Sequence, residues 1–297
     1  MLDRQKIKLA IAPIAWTNDD MPDLGKENTF EQCISEMALA GFSGSEIGNK
    51  YPKDGAVLKK ALNMRGLCIC NCWFSTFLIS KRFEETADAF DKQTDFLKSL
   101  GADVIGVSEQ SYSIQGKAQP VFEGKYVMND KEWDLLCAGL NKLGEIAHNK
   151  GMKLTFHHHM GTVVQDENEI DRMMQNTDPD LMFLLFDSGH LSYCGIDPQK
   201  IIERYSKRIG HIHLKDIRAN ILAQVRPRKL SFLDAVREGV FTVPGDGSIN
   251  FDPIFKCIET SGYEGWLVVE AEQDPARANP FEYAKKARAF IREKTGL

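Results

Sequence analysis

The sequence lacks both an excess of basic residues and any long apolar run. Lysine and arginine number 37 against 42 aspartates and glutamates, which gives a formal net charge of −5. Such a balance excludes the basic face expected of a nucleic-acid-binding protein. No stretch reaches the length of about 18 apolar residues that a membrane-spanning helix requires, and no apolar signal segment opens the chain. We therefore expect a soluble, cytoplasmic protein whose partner is a small polar molecule, not nucleic acid or membrane.

Two kinds of short motif are also missing. No Gly-x-Gly-x-x-Gly follows the first predicted strand and no phosphate-binding loop occurs, which disfavours an open doubly wound sheet, the alternative fold. The seven cysteines contain no Cys-x-x-Cys pair of the kind typical of zinc sites. Cys68, Cys70 and Cys72 alternate along one predicted strand. We expect them to be reduced and to share one face of that strand, in preference to a metal site or disulfides.

Short apolar runs alternate with segments of helical periodicity along the chain. Strands are predicted at residues 8–15, 43–47, 67–74, 103–108, 153–156, 182–186, 209–214 and 266–269. Helices are predicted at residues 29–40, 57–64, 84–100, 131–149, 167–175, 198–208, 253–260 and 280–294. Eight such units predict an α/β protein, a (β/α)8 TIM barrel formed by residues 1–297 as a single domain. Two polar segments, 110–128 and 217–248, are predicted to be irregular, and the second to be a rim that contacts substrate.

Polar residues stand at the carboxyl ends of the last four predicted strands. Alternate residues of a barrel strand point inward, so the apolar residues before them predict that His157, Asp187, His213 and Glu270 surround one mouth of the barrel. Two imidazoles and two carboxylates suit a divalent cation such as manganese, cobalt, iron or zinc. Two structural roles are the alternatives to cation binding: Asp187 is a helix cap, and residues 157–159 form a solvated turn.

Other polar or aromatic side chains end the remaining predicted strands. Trp16, Glu46, Trp73 and Glu109 are candidates for substrate contact, each with a structural role in the rim as its alternative. Glu272 shares the face of Glu270, so it competes for the same cation or hydrogen-bonds substrate. His211 lies two residues deeper than the proposed ligand on its strand, and we expect it to be packed or to support that ligand.

Five segments carry a resemblance to known proteins. Residues 187–190 (DSGH), 211–216 (HIHLKD) and 265–270 (GWLVVE) resemble the xylose isomerase-like barrels of sugar isomerases and epimerases. Residues 156–162 (FHHHMGT) and 231–247 (SFLDAVREGVFTVPGDG) are similar to the myo-inosose-2 dehydratase family, and the similarity covers nearly the whole chain. It implies dehydration of 2-keto-myo-inositol (scyllo-inosose) to a trihydroxycyclohexane-dione in inositol catabolism. Manganese or cobalt, and glutathione, are the implied cofactors.

The resemblance also implies a ligand set. It places cation ligands on Asp187, His213 and Glu270. The wider family has glutamate at the remaining ligand, where this chain has His157, and His159 is the alternative at that position.

Loss of water beta to a ketone needs a base for the alpha proton and an acid for the leaving hydroxyl. Lys215, His190 and His159 are the candidates for these catalytic tasks. A neighbouring cation is expected to lower the pKa of Lys215, and an ion pair with Asp216 is the structural alternative for this lysine. An isomerase or epimerase acting on a cyclic polyol ketone is the alternative function, and a binding protein without activity is a second. A homo-oligomer is left open.

Overall fold

The computed structural model, which describes residues 1–297, is built around a closed barrel of eight parallel strands. The barrel strands are β1 (Ile7–Ile11), β2 (Gly44–Ile47), β3 (Cys68–Thr76), β4 (Val104–Glu109), β5 (Lys153–His157), β6 (Met182–Asp187), β7 (Ile209–Leu214) and β10 (Gly265–Val269). Between β7 and β10, the short strands β8 (Asp216–Ile217) and β9 (Phe241–Thr242) form a separate antiparallel two-stranded sheet. Strand β10 pairs with both β1 and β7 and so closes the barrel. The predicted fold class is confirmed.

Helices surround the barrel and cover its outer face. They are α1 (Phe30–Leu39), α2 (Gly55–Asn63), α3 (Phe83–Leu100), α4 (Asp130–Asn149), α5 (Glu167–Gln175), α6 (Ser188–Tyr193), α7 (Pro198–Arg204), α8 (Ala219–Val225), α9 (Phe232–Arg237), α10 (Asp252–Ser261) and α11 (Pro280–Thr295). Asn129 and Asp166 cap α4 and α5 through capping boxes, with a glutamate as the third residue of each helix. The large core of 63 residues includes apolar side chains from both the strands and the helices. None of these helices is long and apolar enough to cross a membrane.

The register of the last strands brings the predicted site residues to one level. His213 lies beside Asp187 on β6 and beside Val268 on β10. His157 ends β5 and pairs with Leu185, two residues before Asp187. The carboxyl ends of these strands therefore meet at one mouth of the barrel, as the alternation of inward side chains predicts.

The first strand and the second irregular segment differ from their predictions. Strand β1 ends at Ile11, because Pro13 has no backbone N–H for a sheet and instead begins a 3₁₀ turn over Pro13–Ala15. Residues 217–248, predicted to be irregular, contain α8, α9 and most of the small β8–β9 sheet. Tyr193, Phe232 and Phe241 belong to a separate apolar cluster of 12 residues beneath this segment, which explains why it is ordered.

The three cysteines of β3 do not share one face. Between β2 and β3 the register slips, so that Ser45 pairs with Ile69 while Glu46 pairs with Asn71. Cys70 is the extra residue of this bulge and packs inside the barrel, while Cys72 belongs to the outer core and accepts a hydrogen bond from Gln93. The prediction for Cys72 was wrong because a bulge reverses the alternation of side chains that follow it.

Candidate active site

A cavity of about 480 Å³ opens at the carboxyl ends of the barrel strands. This is within the size range of small-molecule sites, about 300–1,000 Å³. Seven of the ionisable side chains that line it come from β2, β5 and the residues after it, α6, β7 and the residues after β10: Glu46, His157, His159, His190, His213, Glu270 and Glu272. All seven are predicted site residues. The predicted roles were cation ligand for His157, His213 and Glu270, catalysis for His159 and His190, and substrate binding for Glu46 and Glu272.

Three of the four predicted cation ligands converge on one point. Oδ2 of Asp187 lies 3.5 Å from Nε2 of His157 and 3.4 Å from Nδ1 of His213. Nδ1 of His157 donates to the carbonyl oxygen of His158 at 2.6 Å, which leaves the lone pair of its Nε2 facing Asp187. Both Asp187 Oδ2 and His213 Nδ1 are buried without a hydrogen-bond partner. Buried polar atoms without partners are rare, and acceptor atoms that face one another favour a cation between them.

Asp187 also has the helix-capping role that was its structural alternative. Its Oδ1 accepts a hydrogen bond from the backbone N–H of His190 at 2.8 Å and so caps α6. Burial raises the pKa of Asp187, but Lys215 and the neighbouring histidines outweigh burial and hold the pKa well below its usual range. The carboxylate is therefore charged, with one oxygen used by the helix and the other free for a cation.

The fourth predicted ligand, Glu270, faces a different group. Its Oε2 lies 2.5 Å from Nζ of Lys215, and it is not among the three residues that converge on Asp187 Oδ2. His159 lies with His190 and Glu272 in a second group of ligand-type atoms. Between the two histidines considered for one position, His157 is therefore the one placed beside Asp187 and His213.

Lys215 is fully buried and surrounded by anions. Besides Glu270, its Nζ lies 2.9 Å from Oε2 of Glu272 and 3.6 Å from Oδ2 of Asp187, and it donates to Nε2 of His190 at 2.8 Å. Burial lowers the pKa of Lys215, but the three carboxylates outweigh burial and raise it above its usual value. With these carboxylates around it Lys215 is a charged proton donor, and a lowering of its pKa by a bound cation stays a prediction.

The second group, His159, His190 and Glu272, lies around this lysine. Burial, together with the charge of Lys215, lowers the pKa of His190 well below its usual value, and burial, His157 and Lys215 do the same for His159. Both imidazoles are therefore neutral. Burial and the nearby Glu270 raise the pKa of Glu272, against the opposing effect of Lys215. The group thus combines neutral acceptors with proton donors, which suits proton transfer.

Two predicted substrate-binding residues lie away from the cavity. Trp16 follows the 3₁₀ turn instead of ending β1, is fully buried, and donates from Nε1 to Glu36 at 2.6 Å. Glu109 accepts hydrogen bonds from Thr76 at 2.8 Å and from the backbone of Leu78 at 2.9 Å. Neither residue lines the cavity, because a proline shortens the first strand and the β3–α3 connection occupies the carboxylate of Glu109.

Trp73, a predicted candidate for substrate contact, lines the cavity. It is 41% exposed, and its ring lies 5.6 Å from that of His157 and 5.5 Å from that of His159. The bulge in β3 turns this residue inward. Asp19 and Asn49 line the outer part of the cavity, and their loop positions gave no periodic signal in the sequence.

Asp216 does not pair with Lys215. Its carboxylate accepts hydrogen bonds from the backbone N–H groups of Ile217 (2.8 Å), Gly245 (3.1 Å), Gly247 (3.0 Å) and Ile249 (2.9 Å). A side chain at Gly247 would bring its Cβ to 2.3 Å from Oδ1 of Asp216. The Pro-Gly-Asp-Gly segment is therefore wrapped around one buried carboxylate directly after the site lysine.

The Asp216→Ala variant is expected to be destabilised. Leaving these backbone donors without an acceptor should lower the free energy of unfolding by at least about 2 kcal/mol. Asp216→Asn keeps one acceptor oxygen and is the matched control, with an expected intermediate loss. Denaturant unfolding measures both changes; equal stability of Asp216→Ala and the wild type would contradict this role.

A family profile of xylose isomerase-like TIM barrels matches residues 34–294. The chain belongs to this class of proteins. More narrowly, it is 62% identical to an inosose dehydratase of Clostridium beijerinckii over 298 aligned positions, which cover 100% of both chains. An inosose dehydratase of Geobacillus thermodenitrificans is 59% identical with the same coverage. The chain is thus a member of the inosose dehydratase family.

Similarity to solved structures extends to the fold. The IOLI protein, whose crystal structure contains a bound zinc atom, matches with a TM-score of 0.72 and 16% identity over 98% of this chain and 100% of that chain. This match confirms the xylose isomerase-like barrel. The much higher identity to the dehydratases favours dehydration over isomerisation or epimerisation.

Proposed function

We propose that this protein removes water from 2-keto-myo-inositol (scyllo-inosose) to give a trihydroxycyclohexane-dione, as a carbon–oxygen lyase of inositol catabolism. One observation carries the proposal: the three possible cation ligands, His157, Asp187 and His213, lie in one buried site next to the proton-transfer group of His159, His190, Glu272 and Lys215. Full-length identity near 60% to proteins named inosose dehydratase supports the same reaction. The seven free cysteines support a reducing, cytoplasmic setting.

Manganese or cobalt is the proposed cation, held by His157, Asp187 and His213. The unpartnered Oδ2 of Asp187 and Nδ1 of His213 fit such an ion, since each presents a lone pair to the same point. Glu270 joins as the fourth ligand if its carboxylate turns from Lys215. When bound, a divalent cation polarises the substrate carbonyl and makes the neighbouring C–H more acidic.

The proton-transfer steps fall to the group around Lys215. As a neutral imidazole on the cavity floor, His159 is the proposed base for the alpha proton. Lys215 is charged and touches both His190 and Glu272, so it is the proposed source of the proton for the leaving hydroxyl. His190, hydrogen-bonded to Lys215 and capped by Asp187, orients that ammonium group.

Substrate binding is assigned to the remaining walls of the cavity. Trp73 offers a ring face to the C–H face of a cyclic polyol, and Glu272 offers a carboxylate to its hydroxyls. Glutathione is proposed as a second cofactor that acts at the open cavity. A role in reducing the cysteines of β3 is disfavoured, because burial raises the pKa of Cys70 and raises that of Cys72 to about 12.

Chelation followed by metal replacement tests this proposal. Protein stripped of metal is expected to lose turnover of 2-keto-myo-inositol, and added Mn²⁺ or Co²⁺ is expected to restore it. Appearance of the dione is followed by its ultraviolet absorbance, and incubation with Mg²⁺ serves as a control for an oxygen-preferring ion. A metal-dependent change in polyol configuration without dione would contradict dehydration and indicate an isomerase or epimerase.

A further inference from the structure

Glu46 of β2 reaches across the barrel to two histidines of β7. Its Oε1 lies 3.0 Å from Nε2 of His211 and 3.0 Å from Nε2 of His213. The side chain of Asn71 donates to the same oxygen at 2.7 Å. One buried carboxylate oxygen is therefore shared by three donors, and its proposed role in binding substrate does not account for these contacts.

The acceptor role of Glu46 decides which nitrogen of His213 carries the proton. A carboxylate only accepts hydrogen bonds, so His213 donates from Nε2. With a cation bound at Nδ1 the ring is neutral and has one N–H, which Nε2 carries, so Nδ1 supplies its lone pair to the cation. Nδ1 of His213 has no hydrogen-bond partner and lies 3.4 Å from Oδ2 of Asp187, among the three possible cation ligands.

Asn71 holds Glu46 in this orientation. Its Oδ1 accepts a hydrogen bond from the backbone N–H of Gly106 at 2.7 Å, which leaves its Nδ2 to donate to Glu46. A Cβ atom at Gly106 would lie only 3.0 Å from that Nδ2, so the neighbouring strand is shaped to admit the amide. The bulge at Cys70 turns Asn71 inward to make both contacts.

We propose that Glu46 is a positioning residue that holds His213 in the tautomer whose Nδ1 lone pair faces the cation, and thereby raises the cation affinity of the site. Carboxylates that accept from the far nitrogen of a metal-binding histidine orient the ring and increase its basicity. Loss of such a partner typically reduces metal affinity about 10–100-fold. This inference rests on the proposed cation site but concerns a residue that does not touch the cation.

Two substitutions at Glu46 and one elsewhere test the proposal. Glu46→Ala removes the acceptor and is expected to weaken Mn²⁺ binding to metal-stripped protein by about 10–100-fold. Glu46→Gln keeps an acceptor oxygen without the charge and is expected to lose less. Glu109→Gln, which changes another buried strand-end carboxylate outside the cavity, is the matched control and should bind Mn²⁺ like the wild type.

A second measurement separates positioning from general damage to the fold. Long-range ¹H–¹⁵N spectra of histidine-labelled protein loaded with the diamagnetic cation Zn²⁺ report which ring nitrogen of His213 carries the proton, and its signal is assigned with a His213→Gln variant. We expect the Nε2–H form in the wild type and its loss in Glu46→Ala. If Glu46→Ala does not fold, the affinity and spectrum of Glu46→Gln replace it.

The outcomes distinguish this inference from the proposed function. Weaker Mn²⁺ binding together with a changed His213 tautomer supports the positioning role. Wild-type affinity and an unchanged tautomer in folded Glu46 variants overturn it while the proposed function stands. A wild-type protein that binds neither Mn²⁺ nor Co²⁺ overturns the proposed cation site, and this inference with it.

Discussion

Asp187→Asn is expected to abolish cation binding and to lower turnover by about 10³-fold or more. Lewis-acid stabilisation of the developing charge is worth several kcal/mol, and each 1.4 kcal/mol corresponds to about tenfold in rate. Asparagine retains an acceptor oxygen for the N–H of His190, so the cap of α6 is preserved while the charge facing His157 and His213 is removed. Mn²⁺ titration and dione formation measure the two losses.

Asp197→Asn provides the control for this experiment. Asp197 caps α7 in the same way, accepting from the N–H of Gln199 at 3.0 Å, and it does not line the cavity. Its variant is expected to retain cation binding and turnover. Near-normal turnover of Asp187→Asn would contradict the assignment of Asp187 to the cation, whereas equal losses in both variants would indicate damage through helix capping.

The inward residues of β5, β6 and β7 could be predicted because local sequence sets the alternation of a strand. His157 and Asp187 end β5 and β6, His213 lies one residue before the end of β7, and the barrel brings those ends together even though the register of β6 and β7 shifts at Leu184 and Leu185. The prediction that Trp16 ends the first strand was wrong because Pro13 ends that strand early. The predicted orientation of Cys72 was wrong because a bulge precedes it. A bulge depends on how two strands pair, and the sequence pattern of one strand alone does not reveal that pairing.

The charge state of Lys215 could not be predicted for a different reason. In the sequence the carboxylate next to Lys215 is Asp216. In the structure that carboxylate accepts hydrogen bonds from backbone N–H groups and does not face the lysine. The carboxylates that do surround the ammonium belong to β6 and to the segment after β10, 28 or more residues away along the chain. Their number decides the direction of the pKa shift, and tertiary structure alone fixes that number.

Glu46 shows the same limit on prediction. Its position at the end of a predicted strand indicated substrate contact, and Glu46 lines the cavity. Its hydrogen bonds to His211 and His213 join residues 165 and 167 positions apart, across the interior of the barrel. His211, predicted to be a deeper supporting residue, is fully buried and shares the same carboxylate oxygen.

Lys215→Met is expected to lower turnover by about 10²–10⁴-fold, the usual contribution of a positioned acid or base. Methionine keeps a similar length in this fully buried position but removes the ammonium group that touches His190, Glu270 and Glu272. Mn²⁺ binding should persist or strengthen, because Glu270 loses its partner and becomes free to face the cation. Turnover of metal-saturated protein, measured beside Mn²⁺ affinity, separates these two effects.

A lysine outside the cavity provides the control for Lys215→Met. Lys125 is mostly buried and pairs with Glu169, away from the cavity, so Lys125→Met removes a paired ammonium without touching the site. Its turnover is expected to match the wild type. His190→Ala should share the defect of Lys215→Met, because it removes the imidazole that accepts from the lysine. If Lys215→Met and His190→Ala both turn over near-normally with metal bound, proton transfer must come from another residue, and Glu272, which also touches the lysine, becomes the next candidate.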